Sequence, residues 1–182
     1  MGRLFLNGKE GEPMGKTRDL SYIALMTALL VLCAWLVLPL GPVTFTLQTF
    51  GVFASLGILG GKRGTVTVLV YLALGLVGLP VFSGFSGGPA GFMTPTGGYL
   101  LGFLAAALLY WALTAKGLPQ APAMGVGLLA CYTLGTIWFY LLYGGSVGSI
   151  LTLCVFPYIL PDLLKISLAL AVTRRVSRVI PR

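Results

Sequence analysis

Six apolar stretches make up most of this chain, and the charge in the segments joining them constrains its fold more than any single motif. The stretches run from about Leu20 to Leu38, Val43 to Leu59, Thr65 to Leu79, Gly97 to Ala115, Pro122 to Tyr143 and Ile150 to Val172. Crossing the hydrocarbon core of a bilayer takes about 20 mainly apolar helical residues. The pattern therefore predicts an all-α integral membrane protein with six transmembrane helices, the second, third and sixth short or interrupted. Basic residues fall only in alternate connections. Arg3, Lys9, Lys16 and Arg18 precede the first stretch, Lys62 and Arg63 follow the second, and Lys116 follows the fourth. Arg174, Arg175, Arg178 and Arg182 follow the sixth, whereas 39–42, 80–96 and 144–149 hold neither Lys nor Arg. By the positive-inside rule both termini are then cytoplasmic. The expected organisation is a cytoplasmic leader over residues 1–18, a membrane domain over 19–173 and a basic tail over 174–182.

Composition matters here mainly for what it excludes. Only 9% of residues are charged and 57% are hydrophobic, against about 25% charged in soluble domains. A net charge of +8 raises the question of a nucleic-acid partner. Such binding needs basic residues gathered on one polar face, and these are divided among the connections, so none is expected. The chain has no histidine, which excludes Ser-His-Asp and Cys-His catalysis and histidine-ligated zinc or haem. Cys33, Cys131 and Cys154 are an odd, widely spaced set in apolar stretches, which fits packed side chains better than a disulfide framework. Gly60-Gly-Lys-Arg-Gly64 falls short of a phosphate-binding loop, because that pattern needs glycine where Leu56 stands and Ser or Thr where Arg63 stands. Gly125-x-Gly127-x-x-Ala130 lacks the strand–helix setting of a dinucleotide fingerprint and suits close helix packing.

Asp162 and Lys165 are the only acidic and basic side chains inside an apolar stretch. Burying a charge at bilayer depth costs about 2.5–3.5 kcal/mol on insertion scales, so such a pair is a candidate functional site. Three residues apart, the two share one face of a helix. Pro157 and Pro161 predict that this final element is broken and that backbone groups freed at the break are available to a ligand. The competing reading is a structural ion pair that only joins helices. The outer connection 80–96 is long, Gly-rich and uncharged, with Phe82, Phe85 and Phe92 along it. It reads as a lid folded back over the bundle, with a plain linker as the alternative.

Four segments then stand in a recognisable order: Thr46-Leu-Gln-Thr-Phe-Gly51, Tyr71-Leu-Ala-Leu-Gly-Leu-Val-Gly-Leu-Pro-Val-Phe82, Pro95-Thr-Gly-Gly-Tyr-Leu-Leu-Gly-Phe103 and Pro161-Asp-Leu-Leu-Lys165. Over about Arg18 to Ala171 the chain resembles the BioY family of biotin-binding S components of energy-coupling factor (ECF) vitamin importers. The resemblance implies a six-helix subunit of the prokaryotic plasma membrane. It implies biotin as transported ligand, no cofactor, and work with a transmembrane coupling protein and two cytoplasmic ATPases. It also implies a partner contact through the AxxxA pattern, here Ala24 and Ala28.

For such a ligand, Asp162 can accept from ureido N–H groups, and Lys165 can donate either to the ureido oxygen or to the carboxylate. Gln48, Thr49, Ser83 and Tyr99 are further polar candidates. Gly97 and Gly98 offer bare backbone at a helix start, and Phe82, Phe85, Phe92 and Tyr158 offer apolar walls. Other readings are an S subunit for another vitamin, a stand-alone proton-coupled carrier, and an intramembrane enzyme with Asp162 as base. The last lacks any neighbouring nucleophile or metal cluster.

Overall fold

The computed structural model describes residues 13–38 and 44–176. It consists of six helices: α1 (Pro13–Trp35), α2 (Gln48–Leu76), α3 (Gly97–Ala115), α4 (Gln120–Tyr143), α5 (Val147–Cys154) and α6 (Phe156–Val176). α1 takes in residues 13–18 of the expected leader and α6 the first residues of the expected tail, while residues 1–12 and 177–182 lie outside the described residues. A short antiparallel ribbon, β1 (Val37–Leu38) with β2 (Phe45–Thr46), joins α1 to α2. The sequence pattern starts a helix at Val43, but Thr44, Phe45 and Thr46 are extended or paired, and the helix begins at Gln48. β-Branched and aromatic residues in succession favour the pleated conformation.

The second and third apolar stretches become the two arms of α2. Gly60 (φ 81°, ψ 168°) breaks the helix between them, in a region of backbone space open essentially to glycine alone. The arms fold back on one another. A Cβ on Gly64 would lie 2.6 Å from the Leu56 Cα, and the Gln48 side chain reaches Tyr71 across 23 residues of sequence. The turn carries Lys62 and Arg63, and the Arg63 guanidinium pairs with Asp19 of α1 at 2.9 Å. One end of the bundle thus gathers the basic turn and the start of α1.

Among the described residues four helices are long and apolar enough to cross a membrane: Lys16–Trp35, Gly97–Ala115, Gln120–Tyr143 and Phe156–Val176. Each arm of α2 is shorter than the roughly 20 residues of an upright crossing. α2 sits centrally, against α1, α3 and α6, and α3 packs along α4. The α3–α4 approach is close because Gly102 backs onto Cys131 and Gly135 lies under the Tyr99 ring, small residues letting the backbones meet. The core holds Leu30, Phe53, Leu56, Tyr71, Tyr110 and Met124, all essentially buried. Leu20, Leu25, Leu129, Leu141, Leu160 and Leu164 are each more than 60% exposed. Water would not tolerate so continuous an apolar exterior, whereas lipid tails solvate it at no cost.

The final element is broken, but not where both prolines predict. α5 ends at Cys154, Val155 (φ −124°, ψ −58°) makes the bend, and α6 starts at Phe156. Pro157 falls in the first turn of α6, where a missing N–H costs nothing, and it denies Leu153 the bond that would carry α5 onward. Pro161 lies inside α6 without ending it.

The connection 80–96 folds back on the bundle. The Trp35 indole N–H donates to the Pro80 carbonyl at 2.9 Å, and the Gly88 N–H donates to the Gly75 carbonyl at 2.7 Å. Phe82 is buried edge-on to Tyr71 and Phe92, while Phe85 turns outward onto Trp35.

Candidate functional site: a polar cavity closed by the final helix

On α6 the buried residues are Tyr158, Asp162, Lys165, Ile166, Ala169 and Thr173, steps of three and four that mark one face of a helix. Leu160, Leu163, Leu164 and Leu168 cover the opposite, exposed face. The charged pair therefore points into the protein and the leucines into lipid. Lys165 Nζ donates to Asp162 Oδ1 at 2.8 Å, with both side chains 7% exposed. The Tyr132 hydroxyl of α4 donates to Asp162 Oδ2 at 2.7 Å. Lys165 Nζ also lies 3.8 Å from the centroid of the Phe45 ring, a cation–π contact that desolvation strengthens.

Asp162 and Lys165 line a partly enclosed cavity, with polar side chains converging among apolar walls as in small-molecule clefts. The ribbon and the start of α2 contribute Thr44, Thr46, Gln48 and Thr49, and the start of α3 contributes Thr96 and Tyr99. Leu100, Phe103, Leu128 and Cys131 supply apolar walls, and Tyr132, Cys154 and Tyr158 complete them. Gln48 is fixed from two sides. Its Nε2 donates to the Tyr71 hydroxyl at 2.6 Å and its Oε1 accepts from Thr46 Oγ1 at 2.9 Å. Thr44 Oγ1 is buried with no hydrogen-bond partner. An unpaired buried hydroxyl costs about 1–3 kcal/mol, which a ligand atom placed there would offset.

Of the residues singled out in the sequence, Asp162, Lys165, Gln48, Thr49, Tyr99 and Tyr158 come together at this cavity. The remaining ones are placed elsewhere. A Cβ on Gly98 would strike Trp138 of α4, and one on Gly97 the Phe92 carbonyl of the 80–96 connection, so Gly98 lets α4 pack close and Gly97 lets that connection lie against the start of α3. Phe82 packs edge-on against Tyr71 and Phe92 against Phe82, so this aromatic stack is connected to the cavity through the Tyr71–Gln48 bond. Ser83 lies in the 80–96 connection and does not line the cavity, its carbonyl accepting from Ser86 Oγ, and Phe85 is 63% exposed. The carbonyl freed at the α5–α6 break is also used internally: Cys154 O accepts from the Tyr99 hydroxyl at 2.7 Å.

Sequence reasoning missed Thr44, Thr46, Thr96 and Tyr132. The three threonines look like the polar fringe of membrane spans, and Tyr132 looks like a packed aromatic. A hydroxyl at mid-span, where lipid offers it no partner, was the one available signal for Tyr132. Among the described residues no group of three or more His, Cys, Asp or Glu converges to hold a metal ion.

A lipid-coated helical bundle that encloses one charged pair, several hydroxyls and apolar walls in a single cavity is a solute-capturing membrane protein. Comparison with known proteins places it further: the chain belongs to the BioY family, whose model matches residues 8–182. It is 40% identical over 164 residues to the biotin transporter BioY of Thermotoga maritima, covering 88% of this chain and 96% of that one. It is 37% identical over 162 residues to the probable biotin transporter BioY of Pyrococcus horikoshii, covering 89% and 98%. A crystal structure of the S-component for biotin from an ECF-type ABC transporter superposes with a TM-score of 0.83 at 29% identity, over 93% of this chain and 95% of that one. These relatives are transport proteins, and the chain is not an enzyme.

Proposed function

We propose that this chain captures biotin and mediates its uptake as the substrate-specific S subunit of an ECF-type importer. Family membership and the fold match support that reading. The observation that carries it to this ligand is the Asp162–Lys165 pair lining a cavity beside Thr44 and Gln48. A ligand that meets both charges must present donors and an acceptor side by side, as a cyclic urea does. Asp162 accepts from ureido N–H and Lys165 donates to the ureido oxygen, charge-assisted bonds about twice as strong as neutral ones. Leu100, Phe103 and Leu128 receive the thioether ring and the aliphatic chain. Thr44 and Thr96 face the carboxylate, since Lys165 is the single cation among the described lining residues.

In this reading the chain crosses a prokaryotic plasma membrane six times, with the arms of α2 as the second and third crossings and both termini cytoplasmic. The basic α2 turn paired with Asp19 supports that orientation. Uptake against a gradient needs energy, and the chain carries no phosphate-binding loop. A membrane-embedded coupling protein and two cytoplasmic ATPases supply it. Ala24 and Ala28, both on the exposed side of α1, form the contact.

The test is a binding isotherm on purified protein in detergent, with biotin set against thiamin and riboflavin. Saturable one-to-one binding of biotin alone, without ATP or a proton gradient, is expected. Preference for another vitamin would reassign the ligand, and uptake driven by a pH gradient without partners would replace the S subunit with a carrier.

A further inference from the structure

Asp162 is held from two helices, and its own helix supplies only one of the two contacts. Lys165, a turn further along α6, occupies Oδ1, and the Tyr132 hydroxyl from the middle of α4 occupies Oδ2. An i, i+3 pair alone leaves the carboxylate free to turn with its lysine partner. A second donor on a different element fixes the carboxylate plane relative to the cavity. Each carboxylate oxygen has two acceptor sites. Tyr132 and Lys165 take one apiece, and the other site on each oxygen remains for donors arriving from the cavity.

We infer that Tyr132 is a positioning residue for ligand recognition: it orients Asp162 before the ligand arrives and so sets which N–H geometry the cavity accepts. This rests on the reading of the cavity as the biotin site. Tyr132 is suited to the task for a second, independent reason. Its ring and Leu128 line both the cavity and an apolar groove between α4 and the α5–α6 pair, with Leu129, Ile137, Val155 and Leu163 along the groove. α4 and α6 are both long and apolar enough to span the membrane, so the groove faces lipid. The phenol therefore presents its polar tip to Asp162 and its apolar body as a partition between ligand and hydrocarbon. A shorter side chain at 132 could not do both.

The experiment is a double-mutant cycle on full-length protein in detergent, measuring the Kd for biotin of wild type, Tyr132→Phe, Asp162→Asn and the double variant. Phenylalanine keeps the partition and removes only the hydroxyl. The expected result is a Kd raised on the order of tenfold by Tyr132→Phe, with almost no further loss when it is added to Asp162→Asn, because the hydroxyl acts only through that carboxylate. Thermal unfolding without ligand accompanies each variant as the control for simple misfolding. Affinities that fall by independent factors, or an unchanged Kd in Tyr132→Phe, would overturn the inference while leaving biotin as the ligand. Wild-type protein that ignores biotin would sink the ligand assignment itself. Tyr132→Leu supplies a second reading should the phenylalanine variant prove unstable. It retains an apolar partition without a hydroxyl, and its loss of affinity must again disappear in the Asp162→Asn background.

Discussion

At the scale of single residues the site is an ion pair completed by a neutral donor, and its parts are not equivalent. Asp162→Asn keeps the shape and removes the charge, so it should weaken biotin binding by about 1.5–3 kcal/mol, the worth of a hydrogen bond to a charged group. Isothermal titration reads this directly, and unaltered affinity would make the pair purely structural. Lys165→Met has a different consequence. It leaves the Asp162 carboxylate buried with only the Tyr132 hydroxyl as partner, and an orphaned buried charge costs about 3–5 kcal/mol. The single variant should therefore unfold at a lower temperature than the Asp162→Asn/Lys165→Met double variant, in which no charge remains to be orphaned. A scanning fluorimetry series in one detergent decides the order. This pair was legible in the sequence because charge inside an apolar stretch is conspicuous. Tyr132 and Thr44 were not, since hydroxyl-bearing residues in an apolar stretch reveal their role only once a partner 30 residues away, or the lack of a hydrogen-bond partner, is known.

At the scale of elements, two glycines decide how the chain is folded onto itself, for different physical reasons. Gly60 has open space around it: a Cβ at this position would meet nothing within 4 Å, so its constraint is purely conformational. At φ 81° and ψ 168°, Gly60→Ala should cost about 1–3 kcal/mol through backbone strain, read as a lowered unfolding temperature with biotin affinity little changed. Gly75 is the opposite case. Its backbone is helical, and the Phe82 ring occupies the place a side chain would take. Gly75→Ala should lift Phe82 out of its seat against Tyr71 and disturb the Tyr71–Gln48 bond behind it. Here stability falls by about 1–3 kcal/mol and biotin affinity falls with it. The turn at 60–64 is legible in Gly-Gly-Lys-Arg-Gly alone. The seat of Phe82 is not, because aromatics in a glycine-rich loop have no periodicity to say which ring turns inward. The same limit explains the final element. Pro157 and Pro161 look alike in sequence, but only the one falling in the first turn of a helix marks its start.

At the scale of the whole molecule, the proposed function makes capture and uptake separable, and the bundle suggests where they separate. The cavity lies among the ribbon and α2, α3, α4, α5 and α6, and among the described residues none of α1 lines it. α1 buries Thr27, Leu30, Cys33 and Ala34 toward the bundle and leaves Ala24 and Ala28 exposed. Small residues four apart on an exposed helix face let a second helix approach to backbone distance, as the leucine-covered face of α6 does not. Ala24→Trp and Ala28→Trp should consequently leave biotin affinity within roughly twofold of wild type, as surface substitutions usually do. Co-purification with the proposed coupling protein and ATPases should be lost, and with it biotin accumulation in cells expressing all the subunits. Leu129→Trp, on an exposed position of α4, is the matched control and should preserve both activities. Uptake that survives both alanine variants would move the contact off this face of α1. A parallel loss of binding and uptake would mean that α1 shapes the cavity through its packing on α2, and that capture and coupling share one surface.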